Sequence, residues 1–248
     1  APESASRNTS GNQERVAGEF DPSAEQQAIA VINQVGGEWS KEPYSRMELF
    51  GALVAHGRIR DADERTAKAS PERKPVVMVN LLDSDVTDKD LESLTGLTSL
   101  QQLLIDNTQI SDIGLQHLKG LTSLRVLTLS NTPVTDDGLT QLAELTNLSM
   151  LYLKGTKITD TGLASLRGLS NLQVLNLGYT QTGDAGLEHL KGLTGLVMLD
   201  LRRTQVTDTG LAHLKGLTNL RELHLSSMVT DAGIDELKKA LPKVRIPR

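Results

Sequence analysis

Asp200, His224 and Ser226 are the residue types of a hydrolytic triad, and their positions put all three on one face of a sheet. In a triad the carboxylate orients the imidazole and the imidazole takes the serine proton. The spacing argues against that chemistry. Ser226 follows His224 by two residues, about 7 Å along an extended strand, and the surrounding residues suggest neither an oxyanion hole nor an enclosing pocket. A row of aspartates, Asp88, Asp112, Asp136, Asp160, Asp184, Asp208 and Asp231, invites a calcium reading. Calcium requires about six to eight converging oxygens, whereas these arrive one per repeat. His189 and His213 occupy the same place in adjacent repeats, with His117 further off, and two imidazoles leave a metal site incomplete. The chain has no cysteine, which excludes disulfides, thiolate zinc sites and cysteine nucleophiles. No catalysis, metal or cofactor is expected.

What positions these residues is a 24-residue unit, present in seven copies from about Arg73 to Lys239. The clearest copies begin at Leu97, Leu121, Leu145, Leu169, Leu193 and Leu217. A fixed period of this size predicts a solenoid, in which each unit buries its apolar face only against its neighbours. Within the copy beginning at Leu121, Leu127 and Leu129 keep the strand period, while Leu139 and Leu142 keep the helical one. Each unit therefore reads strand, turn, short helix. The recurring Asp, at position 16, stands where an N-cap accepts backbone N–H bonds. Gly follows two residues later in six copies and lets neighbouring helices approach, and Asp90 replaces it in the first. Gly96, Gly120, Gly168, Gly192 and Gly216 read as left-handed helix ends. Thr108, Thr132, Thr156, Thr180 and Thr204 share position 12, where hydroxyls satisfy backbone groups leaving the sheet.

The pattern Leu-x-x-Leu-x-Leu-x-x-Thr-x-Val from Leu124 to Val134 resembles a leucine-rich repeat, with Thr in the usual Asn/Cys slot. The added Thr-Asp-x-Gly-Leu, as at Thr207 to Leu211, resembles a 24-residue class common in bacterial proteins and related to ribonuclease-inhibitor-like arrays. The resemblance implies an α/β fold: a right-handed solenoid with a concave parallel β-sheet and convex short helices. It also implies protein–protein recognition, without naming one activity for the family.

Outside the repeats, residues 1–20 are polar and expected to be disordered. Residues 21–72 are read as an N-terminal cap with an irregular insert, 73–240 as the seven repeats and 241–248 as a C-terminal cap. Asp21-Pro22 opens a helix with the apolar stripe Ala28, Ile29, Ile32 and Val35, which Gly36-Gly37 stop. Glu38-Trp39-Ser40 suits an extra strand beside the first repeat strand. Met47 to His56 suits an amphipathic helix, in a region that also holds Tyr44 and Phe50. The start at Ala1-Pro2-Glu3-Ser4, without Met, suits an exported protein after signal cleavage. A formal net charge of −5 without a basic run disfavours nucleic acid, and no apolar run reaches the length of a membrane span.

Strand alternation puts positions six, eight and ten of each copy on the concave, solvent-facing side. Apolar residues fill position six from Val126 through Met150 and Val174 to Met198. Leu104, Tyr152, Asn176, Asp200 and His224 share position eight; Lys154 and Arg202 share position ten, with Tyr179 and Arg203 just beyond. Interfaces favour aromatic, Met and Arg residues. These thirteen side chains form the candidate surface for a protein or peptide ligand, bound by a monomer. The competing readings are that Val and Met merely suit an exposed strand, that the chain is a scaffold assembling through convex helices or its N-terminal lobe, and that it binds carbohydrate.

Overall fold

The computed structural model describes residues 22–42 and 75–247. The expectations for residues 1–20, for Met47 to His56 and for Tyr44 and Phe50 fall outside these. Eight strands form one sheet in strict chain order: β1 (Glu38–Ser40), β2 (Met78–Asn80), β3 (Gln102–Leu104), β4 (Val126–Thr128), β5 (Met150–Tyr152), β6 (Val174–Asn176), β7 (Met198–Asp200) and β8 (Glu222–His224). Strands β2 to β8 are parallel and in register at a displacement of 24 residues, so Val79, Leu103, Leu127, Leu151, Leu175, Leu199 and Leu223 lie side by side. β1 pairs antiparallel with β2 and covers that edge. A parallel neighbour requires a crossover. Here the crossovers contain only short helical turns, such as Asp136–Thr140 or Gly162–Leu166.

The core is a stack of leucine layers between sheet and helical turns, with Leu124, Leu127, Leu129, Leu139 and Leu142 all fully buried in one repeat. The N-terminal helix, Pro22–Gln34, closes one end with Ala28 and Ile32. The buried Glu25 carboxylate fastens it by accepting Val76 N–H at 2.7 Å. At the other end, the helix Asp231–Ala240 contributes Leu237, and Leu241 and Val244 bury behind it. Arg245 extends the ladder by one bridge to Glu222.

Two turn assignments change. The glycines that end the helical turns are not left-handed; among the described residues, Gly36 and Gly155 are the glycines with positive φ. The short turns close by i to i−3 bonds, as from Leu145 N–H to Leu142 O at 2.9 Å, and these satisfy the last carbonyls without reversing the chain. The position-16 aspartate does not cap its own helix either. Thr135 caps Asp136–Thr140, and Asp136 instead reaches the next repeat, accepting Thr159 N–H at 2.8 Å. The same latch joins Asp88 to Ser111, Asp112 to Thr135, Asp160 to Gly183, Asp184 to Thr207 and Asp208 to Thr230. The position-18 glycines exist for this latch, because a Cβ at Gly138 or Gly162 would overlap the Oδ1 of Asp112 or Asp136.

Candidate functional site

Each strand leaves the sheet through one conserved-geometry corner. The position-12 hydroxyl donates to the carbonyl three residues back, from Thr108 to Ile105 at 2.8 Å through Thr204 to Leu201 at 2.7 Å, and Ser84 does the same in the first copy. These threonines thus tie down their own corner, one repeat at a time. The residue before each of them is left-handed: Asp83, Asn107, Asn131, Gly155, Tyr179 and Arg203 have φ between 55° and 71°. From Asp83 to Tyr179 their N–H groups extend the parallel ladder, as from Tyr179 N–H to Arg202 O at 2.8 Å. The corners therefore line up as a ridge along the rim of the sheet.

On the concave face the structure divides the thirteen expected residues into two groups. Leu104, Val126, Met150, Tyr152 and Val174 lie opposite the leucine core, but they are buried and form a second apolar cluster, with Met198 packed against it. They were expected to face solvent. In-register strands about 4.8 Å apart stand equal positions side by side, so bulky neighbours shield one another. Asn176 and Asp200 are engaged locally: their Oδ1 atoms accept the N–H groups of Gly178 and Arg202 at 2.9 Å each. The second group is exposed. Tyr179 is 56% exposed, Lys154 Nζ stands 5.4 Å from its ring centroid, and Arg202 and Arg203 lie one repeat further. Arg202 forks onto Asp200, with Nη2 2.6 Å from Oδ2 and Nε 3.0 Å from Oδ1. His224, half-buried, is paired with Glu222 at 3.0 Å.

The triad types do not converge. Asp200 is held by Arg202, His224 by Glu222, and the Ser226 hydroxyl donates to Thr204 O at 3.0 Å. His189 meets Arg167 at 2.6 Å. Among the described residues, no three His, Cys, Asp or Glu side chains gather where a metal would sit, and no helix is long and apolar enough to cross a membrane. One ionisable group escaped the sequence reading. Asp106 is buried at position ten of its copy, and burial pushes its carboxyl up to about 6 despite the hydrogen bond from Ser130 N–H. Asp83 nearby raises it further. The fully buried Thr128 hydroxyl lies beside it and, with Ser130, offsets part of that rise.

The ridge was also missed, although its first four members, Asp, Asn, Asn and Gly, are the residue types that tolerate left-handed backbone. Tyr179 and Arg203 hide the pattern because neither favours it.

Two family models described as leucine-rich repeats match residues 146–206 and 120–143. Among solved structures, internalin C2 from Listeria monocytogenes is similar at 28% identity and a TM-score of 0.53, over 69% of this chain and 80% of that one. A leucine-rich repeat protein of Leptospira interrogans is similar in fold at 24% identity and a TM-score of 0.52, over 63% of this chain; the chain spans 39% of that protein's length. No curated protein matches the chain.

Proposed function

We propose that this leucine-rich repeat protein is a non-catalytic recognition module, binding a protein or peptide along the concave side at the rim formed by Lys154, Tyr179, Arg202 and Arg203. The carrying observation is the exposed Tyr179 under a lysine, in a backbone conformation that tyrosine does not favour. Exposed outliers of this kind collect at binding sites, and Tyr and Arg are the residues that most often dominate interfaces. The buried cluster of Leu104, Val126, Met150, Tyr152 and Val174, with Met198 packed against it, lies on the same side of the sheet. The similarity to an internalin and the leucine-rich repeat matches agree with a recognition role. Export from the cell belongs to the same proposal, and fractionation with an antibody to the chain tests it.

The test is affinity capture with quantitative mass spectrometry, comparing the native chain with Tyr179→Ala plus Arg203→Ala. Loss of specifically captured proteins at unchanged melting temperature is expected. An identical captured set would remove the rim from consideration.

A further inference from the structure

The ridge changes character halfway along the array. In its first half the side chains satisfy one another: Asn131 Nδ2 donates to Asn107 Oδ1 at 2.7 Å, and Asn107 Nδ2 to Asp83 Oδ1 at 2.9 Å. Gly155 ends this ladder, because a Cβ there would overlap Asn131 Oδ1. Beyond it stand Tyr179 and Arg203, exposed and without the local amide bonds that settle asparagine in a left-handed corner. Among the described residues, neither Lys154 nor Arg203 has a carboxylate partner. Arg202 has one, Asp200, whose side chain is only 4% exposed while the arginine's is 58% exposed. A net cationic rim thus presents itself on a chain of formal charge −5.

Resting on the recognition reading above, we infer that this half of the ridge selects an acidic, extended segment of its protein partner. Lys154 and Arg203 lie in the corners that follow β5 and β7, two places apart in the sheet, which puts them roughly 10 Å from each other at ordinary sheet spacing. Carboxylates three residues apart in an extended chain of the polyproline type, with three residues per turn, share one face and span about 9 Å. The segment crosses the ridge with one acidic side chain at Lys154 and the next at Arg203, and one of the two residues between them lies on the Tyr179 ring. Three cations are too few to neutralise a nucleic-acid backbone against the charge of the whole chain, since such binding grows with each phosphate contacted. The guanidinium fork of Arg203 can take a carboxylate in two parallel hydrogen bonds.

Fluorescence anisotropy on the full chain tests this, with a labelled twelve-residue peptide carrying glutamates three residues apart. Its lysine counterpart, heparin and single-stranded dT oligonucleotide serve as comparisons. The acidic peptide is expected to bind, to weaken as salt rises, and to lose at least about tenfold in affinity in Lys154→Glu plus Arg203→Glu. Both exposed substitutions should leave the melting temperature unchanged. Equal affinity for the reversed variant, no binding of the acidic peptide, or tighter binding of dT or heparin would each overturn the inference. The two levels separate cleanly: a captured partner that needs Tyr179 but ignores charge reversal leaves the recognition rim standing and ends the acidic-segment reading.

Discussion

Tyr179 and Arg203 hold left-handed backbone at φ of 59° and 58°, which costs a residue with a side chain roughly 1–2 kcal/mol. Nothing in the fold requires those side chains, since Asn occupies the same corner in two other copies. Arg203→Asn is therefore expected to stabilise the chain by roughly 1 kcal/mol, raising the calorimetric melting temperature by about 2–4 °C, while weakening partner binding. A melting temperature that falls would show that Arg203 is structural. Asp106 offers the second residue-scale prediction. Its carboxyl titrates near 6 against an ordinary 3.8 because burial penalises the charge. A raised folded pKa means that its contribution is complete below 3.8 and is lost as pH rises through about 6. At neutral pH the ionised group costs about 3 kcal/mol, at ~1.4 kcal/mol per pH unit of offset. Asp106→Asn should recover much of that at pH 7 and little at pH 4, measured by urea unfolding. The residue types at the corners were readable in the chain, but burial of Asp106 was not, because a position-ten Asp looks the same whether its surroundings are wet or dry.

At the scale of the element, the repeat is held to its neighbour by the aspartate latch as much as by leucine layers. Burial raises Asp136, yet hydrogen bonds from Thr159 and Thr161 outweigh this and leave its carboxyl below the ordinary value. Asn147, Asn171 and Asn219 add a second staple, each donating at 2.9 Å to a carbonyl of the preceding repeat. Gly138→Ala should cost about 1–3 kcal/mol, since its Cβ meets the carboxylate of Asp112. Combining it with Asp112→Ser should recover part of that loss, with a coupling of about 1 kcal/mol or more in a double-mutant cycle. Strict additivity would mean that the two residues do not share a contact. Recurrence of Asp and Gly two residues apart was plain in the sequence. Their partnership was not, because Asp112 lies against Gly138 of the next repeat rather than against the glycine two residues on, and only the pitch of the array brings those together.

The described residues form a linear stack in which each repeat touches its neighbours and the two ends are closed by helices. Its response to pH sums opposing groups. Asp136 and Asp208 titrate below 3.8, so their stabilisation is present above that value and is lost as pH falls through their lowered values. Asp106 works in the other direction, losing its contribution up to about 6. Stability should therefore peak between those limits: a higher urea midpoint at pH 4.5 than at pH 7.5, and a decline again by pH 3. A midpoint that climbs steadily to pH 7.5 would contradict the burial of Asp106. The chain by itself determined the solenoid, the order and register of its strands, and the leucine layers, because a period of 24 residues copied seven times admits one way of stacking apolar positions. Tertiary structure alone decided which outward positions meet water. The concave columns at Val126, Met150 and Tyr152 close over each other, and the exposed chemistry moves to the rim at Tyr179 and Arg203. Exposure depends on how closely neighbouring strands crowd a side chain, and that distance is a property of the assembled sheet rather than of any one repeat.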